Sequence, residues 1–488
     1  MDSRLAGAVV FVASGAVLVL EILAGRLLAP YVGVSLETFT AVIGVVLAGI
    51  ALGAWFGGRL ADRFDPRALL PGALVLGGAA AIAAIPIIRA LGPSARPPEA
   101  PTIVVLAAAG FFLPSALLSA ATPLAVKIQL GTLAETGRVV GRLSALGTAG
   151  SLVGVFATGF ILVAEFATTP VVLTLGGLLI VAGVALWFHL GRLGPARVVV
   201  AGAVAGVVAS GVAVAAAPPC DVETAYFCAS VRADLDRPSG RLLTLDDLRH
   251  AYVDLDDPTY LEFTYTQLLG DAVDAVRPAT EPIDAVHLGG GGFTIPRYVA
   301  TTRPGSDNVV LELDPGVVDL AVAELGLRLG PRMRVVTGDA RVNLRDIADG
   351  SADLVVGDAF GGRAVPWHLT TTEFVEDIRR VLREDGVYAQ NVIDQPPLGF
   401  LRAEVATLRE VFDYVAVVGP AGRFDGTEGG NTIVVASDRP LPLAAIAAHN
   451  AARGDDDVVV GDPAALDDFV GDAPVLTDEH APVDQLLT

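Results

Sequence analysis

The sequence predicts a chain in two parts: an α-helical membrane domain of about seven transmembrane helices, then an α/β Rossmann-like domain. Three observations predict it. Mean hydropathy is +0.59 and 53% of residues are hydrophobic, yet the net charge is −21. These extremes separate along the chain. Residues 1–217 hold 8 of the 54 acidic and 12 of the 33 basic side chains, leaving 46 and 21 for the rest. Third, from about Leu242 long apolar runs give way to short β-branched runs alternating with helical ones. The expected organisation is a transmembrane domain at 1–217, a linker with a cysteine pair at 218–240, and the α/β domain at 241–488.

A spanning helix needs about 20 mostly apolar residues. Seven such stretches run over approximately 6–29, 38–57, 68–90, 101–125, 143–164, 169–189 and 197–217. The first lacks a basic flank, carries Glu21 and Arg26, and leads directly into another span, so it reads as a retained helix and not a cleaved signal. Cations assign the orientation. Arg4 precedes the first span. Arg59, Arg63 and Arg67 follow the second, Lys127, Arg138 and Arg142 the fourth, and Arg192 and Arg197 the sixth. The alternate loops hold only Arg89 and Arg96, beside Glu37, Glu99 and Glu165. An integral protein of the cell membrane with a cytoplasmic N-terminus follows, and an odd span count places the α/β domain outside. The orientation reverses if the Val/Ala/Gly-rich seventh run does not insert.

Charges inside a membrane are costly. Glu21 and Arg26 are expected to pair or to cap a neighbouring helix end, with a substrate path as the functional alternative. Pro114 and Pro123 predict a kinked fourth span. Gly57-Gly58-Arg59-Leu60-Ala61-Asp62-Arg63 resembles the loop signature between helices 2 and 3 of major facilitator transporters, although seven spans cannot make the twelve of that fold.

Cys220 and Cys228 are the only cysteines. An external position permits a disulfide, which is the expected state, whereas a cytoplasmic one predicts free thiols. Two cysteines and six scattered histidines offer no metal-ligand spacing. Lys127 is the one lysine, and the Asp-rich second half looks like the surface of a protein from a salty environment. Such a surface argues against nucleic acid as a partner, although the acidity reads first as general solvation with no bearing on partners.

In the second half, Ala285–Leu288 reads as a buried strand, followed by Gly289-Gly290-Gly291-Gly292 and a helix through Ala300. Strands at Asn308–Leu313, Arg334–Thr337, Ala352–Gly357, Gly386–Val392, Val415–Val418 and Thr432–Ala436 are expected, with helices at Pro315–Gly326, Phe374–Leu382 and Arg402–Phe412. Alternating βα units imply a parallel sheet covered on both faces, with ligands outside the carboxyl ends of its strands. Gly289, Gly290 and Gly291 let backbone N–H groups approach a ligand. Glu312, about twenty residues on, can accept from ribose hydroxyls. Asp339 can accept from an adenine amino group. Asp358 sits where a carboxylate can act as a base. The dinucleotide pattern needs a sixth-position glycine, which is Thr294 here, so an S-adenosyl-type nucleoside is favoured over NAD or FAD. Asp314 is expected to cap a helix, and His287 to be a core residue.

These residues resemble the spermidine synthases, the aminopropyltransferases, from about Arg241 to Ala436. The likeness rests on Leu245-Asp246-Asp247, Phe263-Thr264-Tyr265-Thr266-Gln267, the glycine loop, Leu311-Glu312-Leu313-Asp314, Gly338-Asp339-Ala340, Asp358, Thr372-Glu373-Phe374 and Leu382–Val387. The combined architecture, the cysteine pair and Leu476-Thr477-Asp478-Glu479-His480-Ala481-Pro482 resemble the membrane-fused branch. The resemblance implies a transferase of polyamine biosynthesis. Decarboxylated S-adenosylmethionine or S-adenosylmethionine would be the co-substrate, with a polyamine or other amine as acceptor and no metal. It implies that Glu312 holds ribose, Asp339 adenine, and that Asp358 deprotonates the amine with Tyr265 bonding nearby. His250, Gln267 and Asp394 fall on the acceptor side. A homodimer in the lipid bilayer is compatible with it.

Two positions depart from the family. Gly292 stands where the loop has an Asp that pairs with the donor's ammonium, and Gly361 where a second Asp grips the acceptor's far amine. Weak or absent activity on putrescine is therefore expected. A methyltransferase, or a transporter or sensor with a non-catalytic nucleoside- or polyamine-binding domain, are the competing readings.

Overall fold

The computed structural model describes residues 1–95, 99–132, 135–191, 195–360 and 365–487. Arg96, Arg192 and Gly361, which figured in the reading of orientation and of the acceptor site, lie outside the described residues. The chain divides into two compact units: Met1–Ser230 with Leu245–Leu248, and Val231–Thr244 with Arg249–Thr488.

In the first unit, seven helices among the described residues are long and apolar enough to cross a membrane. They are Ser3–Val32, Leu36–Arg63, Pro66–Ala95, Ala100–Gln129, Thr136–Glu165, Thr168–His189 and Ala196–Ala215. Small residues let the helices meet backbone to backbone. A Cβ on Gly15 would lie 2.8 Å from the Gly150 carbonyl oxygen, and one on Gly49 2.9 Å from that of Phe112. The fourth span holds a π-turn at Ala108–Phe112 just before Pro114 and an irregularity at Ala120 before Pro123. Each proline lacks an N–H and displaces the carbonyl one turn back, which accounts for both sites. Arg26 donates to the carbonyls of Val163 and Thr224, both at 3.2 Å. The helix-end capping alternative therefore describes its geometry, since Val163 lies in the last turn of the fifth span. In the facilitator-like segment, Asp62 pairs with Lys127 at 2.7 Å.

Residues 218–240, expected as a linker, carry regular structure. Cys220 is bonded to Cys228, with Cα atoms 5.5 Å apart. Strands β1 (Val222–Glu223) and β2 (Cys228–Ala233) pair antiparallel across that bond. With β3 (Gly240–Leu245) and β4 (Leu248–Asp254) they form a four-stranded sheet in the order β1-β2-β3-β4.

The second unit is built on an eight-stranded sheet, order β12-β10-β11-β9-β8-β5-β6-β7. Its strands are β5 (Asp284–Leu288), β6 (Asp307–Glu312), β7 (Met333–Thr337), β8 (Ala352–Gly357), β9 (Leu382–Asp394), β10 (Tyr414–Gly419), β11 (Gly430–Ser437) and β12 (Val458–Val460). Strands β5 to β9 pair parallel, whereas β9–β11, β11–β10 and β10–β12 pair antiparallel. The expectation of a parallel sheet thus holds for five strands and fails for three. No crossover helix separates β10 from β11, and parallel neighbours require one.

Period-two alternation divides the apolar residues between the two faces. Val355 and Tyr388 face one layer, with helices Thr372–Val381 and Gly399–Val411. Leu354, Val356 and Ala389 face the other, with helices Thr264–Val276 and Thr294–Thr302. Arg303, 1% exposed, ties the last two helices together. Its guanidinium donates to the carbonyls of Val273, Asp274 and Arg277 at the end of helix Thr264–Val276, and to those of Pro278 and Glu281 in the turn after it.

Candidate active site

Strand order reverses between β5 and β8: the chain runs outward through β6 and β7, then returns to β8 on the other side of β5. Ligands of open α/β sheets bind at such a point, outside the carboxyl ends of the strands. The glycine loop follows β5 and Asp358 follows β8, so the two flank the switch. The Asp358 N–H donates to the Leu288 carbonyl at 2.9 Å. Gly289 has φ +91°, and a Cβ there would collide with the Asp358 carbonyl oxygen. Glycine is required at that position on both counts.

Glu312, 7% exposed at the end of β6, braces the loop. One carboxylate oxygen accepts from Gly290 N–H at 2.7 Å and Gly291 N–H at 3.1 Å; the other accepts from Asp314 N–H at 2.9 Å. Asp314 caps helix Pro315–Glu324 by accepting from Gly316 N–H at 2.8 Å. Asp339 is also a helix cap, accepting from Val342 N–H at 3.0 Å, and its second oxygen meets His368 Nε2 at 2.7 Å. The C-terminal motif supports this pair. Asp478 takes both arms of the Arg341 guanidinium, at 2.6 and 2.7 Å, and Arg341 also donates to the His368 carbonyl at 3.1 Å.

Asp358 lies in a cleft with His250, Tyr265, Thr266, His287 and the glycine loop. Desolvation raises its carboxyl to about 6, against the bond from Asn391 Nδ2 at 2.9 Å, which favours the charged form. Asn391 is itself oriented by Asn431 Nδ2, which donates to its oxygen at 3.0 Å. Neither asparagine was legible in the sequence, because β9 and β11 meet only through their register, Asn431 opposite Ile393 and Ile433 opposite Asn391. The Tyr265 hydroxyl donates to the His250 carbonyl at 3.3 Å. Burial, then the nearby Asp358 charge, keeps that phenol protonated. Burial also pushes the His250 imidazole down to about 4.

Several expectations need correction. The Gln267 side-chain amide donates to the Leu261 carbonyl at 2.8 Å, tying down the segment that leads into its own helix. Asp394, 1% exposed, accepts from Gln395 N–H at 2.7 Å and Leu401 N–H at 2.9 Å, so its carboxylate shapes the turn into helix Gly399–Val411. His287 is buried as expected of a core residue, yet it forms part of the cleft wall. Gly292 is not simply a missing carboxylate, because a Cβ there would lie 2.5 Å from the Ala251 Cβ of β4. An Asp cannot enter the loop while that strand keeps its place. Among the described residues, no group of three or more His, Cys, Asp or Glu side chains could hold a metal ion.

Comparison with known proteins agrees with this architecture. The α/β fold is shared with a probable spermidine synthase from Corynebacterium glutamicum ATCC 13032. That structure is 28% identical, with a TM-score of 0.50, and the match covers 54% of this chain and 97% of that one. The chain is 31% identical over 171 residues to a polyamine aminopropyltransferase of Vibrio vulnificus, covering 34% of this chain and 53% of that protein. It is 29% identical over 140 residues to one of Chromobacterium violaceum, covering 28% and 52%. The chain thus spans about half the length of these curated relatives. No family model matches the chain. The α/β unit is spermidine synthase-like, and it follows seven apolar helices.

Proposed function

We propose that this chain is a membrane-anchored, spermidine synthase-like transferase that alkylates an amine with an S-adenosyl-type sulfonium. The observation that carries the reading is Asp358: a carboxyl raised to about 6 by desolvation, at the strand-order switch, beside the glycine loop. A base with that affinity for protons is mostly ionised at neutral pH and can still take a proton from an amine. The amine nitrogen attacks the carbon attached to sulfur. The N–C bond forms, the C–S bond breaks with its electron pair left on sulfur, and the surplus proton passes to Asp358.

The co-substrate is decarboxylated S-adenosylmethionine or S-adenosylmethionine. The residues present fit its nucleoside: Glu312 keeps one acceptor site, on Oε1, for a ribose hydroxyl while holding the loop, and Asp339 with His368 lies at the neighbouring strand end. The relatives named polyamine aminopropyltransferases support an amine acceptor. Calorimetric titration of the full chain in detergent, with decarboxylated and intact S-adenosylmethionine, tests this. Binding of the decarboxylated donor is expected. Binding of neither overturns the reading, and binding of the intact compound alone moves it to methyl transfer.

We further propose a cytoplasmic N-terminus and an extracytoplasmic α/β unit, from the cation asymmetry and seven spans. A membrane-impermeant thiol reagent should reach a cysteine engineered at Thr488, outside the described residues, in intact cells; labelling only after lysis refutes it. The Cys220–Cys228 bond favours one second reading, a nucleoside- or amine-sensing domain facing outward. Such a domain would bind the nucleoside product without turnover.

A further inference from the structure

The cleft contains one buried polar atom that the fold leaves bare. His287 stands in β5, 1% exposed. Its Nε2 meets Asn308 Oδ1 at 2.9 Å. Asn308 turns its amide oxygen to Nε2 and leaves its own Nδ2 without a partner among the described residues; in that orientation Nε2 carries the hydrogen and Nδ1 is the acceptor. Nδ1 has no hydrogen-bond partner among the described residues. Buried acceptors are rarely left so unless something bound there satisfies them.

The surroundings limit what that can be. The cavity amounts to about 20 Å³, room for the amine head and not for its tail, which would extend out through the open side of the cleft. Asp358 is the one carboxylate among its described lining residues. The imidazoles of His250 and His287 are both held neutral, with burial pushing each to about 4. The Tyr265 hydroxyl is engaged by the His250 carbonyl, and the loop position that could supply a second carboxylate is closed by Ala251. The remaining wall includes Ile295, Pro296 and Val356, which are apolar.

We infer that the cleft takes a primary monoamine with an uncharged tail, its nitrogen shared between the Asp358 carboxylate and His287 Nδ1. His287 is then a binding residue that sets specificity for a single amine head. The inference rests on the transferase reading of the same cleft and names the class of its acceptor. The amine enters as an ammonium and gives one proton to Asp358. A remaining N–H stays on His287 Nδ1, which turns the nitrogen lone pair toward the donor carbon. A diamine brings a second ammonium for which the described lining residues provide no counter-charge, and a buried charge without a partner is costly.

The test uses the full-length protein in detergent, saturated with methylthioadenosine, and titrates n-butylamine against 1,4-diaminobutane. The monoamine should bind about tenfold or more tightly than the diamine. His287→Leu should weaken n-butylamine about tenfold, the worth of one hydrogen bond to a charged group. His287→Asn, whose amide oxygen falls near the position of Nδ1, should recover part of that loss. Methylthioadenosine affinity in the variants reports that the site is still folded. Equal or tighter binding of the diamine overturns the inference, as does unchanged n-butylamine affinity in a folded His287→Leu. If that variant does not fold, the preference of the wild-type protein decides alone. If the wild-type protein fails to bind methylthioadenosine, the transferase reading fails instead, and the amine preference measured without nucleoside still judges the cleft.

Discussion

Placing an aspartate at Gly292 should fail alone and succeed with Ala251→Gly. The Gly292 backbone needs no left-handed conformation, so only space forbids a side chain. A Cβ at Gly292 would sit 2.5 Å from the Ala251 Cβ, more than 1 Å closer than the roughly 3.5–4.0 Å of an ordinary carbon contact. Strand β4 cannot simply retreat. Thr294 Oγ1 donates to the Tyr252 carbonyl at 3.0 Å, and Arg297, on the same helix, donates to the Asp254 carbonyl at 3.0 Å. Gly292→Asp must therefore break those bonds or distort the loop, and overpacking of this kind costs about 1–3 kcal/mol. Ala251→Gly removes the obstructing atom at about 0.5–1 kcal/mol for a glycine in a strand. In the double variant the clash term vanishes, so a favourable coupling of about 1–2 kcal/mol is expected between the two substitutions. Denaturation of the four full-length proteins in detergent measures that coupling, and calorimetry measures the affinity for decarboxylated S-adenosylmethionine. The double variant should gain about tenfold from the new carboxylate, as one charge-assisted hydrogen bond would give. If Gly292→Asp alone is as stable as wild type and shows the same gain, Ala251 is no obstacle and the steric reasoning is wrong.

Other perturbations follow from the same geometry. Asn391→Leu removes the bond that favours ionised Asp358, so its carboxyl should rise further above 6; because the base works when deprotonated, the acid limb of methylthioadenosine release should move up by about one pH unit, and an unmoved limb would refute the role of Asn391. Asp358→Asn should abolish any turnover while leaving methylthioadenosine bound, whereas retained turnover would remove Asp358 as the base. Glu312→Ala should cost at least about 2 kcal/mol in methylthioadenosine affinity, because the loop loses its brace along with the ribose acceptor; unchanged affinity would show the pocket to be elsewhere. Glu404 is wholly buried, and burial raises its carboxyl from 4.5 to about 8 against the opposing effect of Gln390 beside it. A group whose pKa is raised by folding contributes stability fully below its unfolded value and loses it through the folded value. Hydrogen exchange of helix Gly399–Val411 should therefore speed up between about pH 4.5 and 8 beyond the intrinsic rate, and Glu404→Gln should flatten that dependence.

What could be foreseen and what could not divides along a physical line. Burial periodicity is local, so the seven spans and the strands from β5 to β9 were legible, with boundaries shifted by a few residues. Turn and cap chemistry is local too: Asp314 binds the N–H two residues on, within reach of any sequence reading. What was not legible is which partner each polar side chain takes. Gln267 and Asp394 are polar residues in the right neighbourhood, but each is satisfied by nearby backbone before a ligand can claim it. The mixed half of the sheet depended on whether a crossover joins β10 to β11, and short apolar runs do not state their direction.

The closure of the glycine loop is the most instructive of these contacts, because it changes what an absent residue means. Read along the chain, Gly292 is a lost carboxylate, and restoring it is one substitution. In three dimensions the loop and β4 are a matched surface: His250 packs on Gly291 and Ala251 on Gly292, while Thr294 and Arg297 hold the strand against the helix that follows. Protein interiors are packed densely enough that a vacated side chain is seldom left as space. Here β4 occupies that place, and the described lining of the cleft holds one carboxylate and two neutral imidazoles. Under the acceptor proposal, one carboxylate suits a singly charged amine head, so selectivity for amines, measured with the nucleoside in place, is the property that separates this account from that of a diamine site.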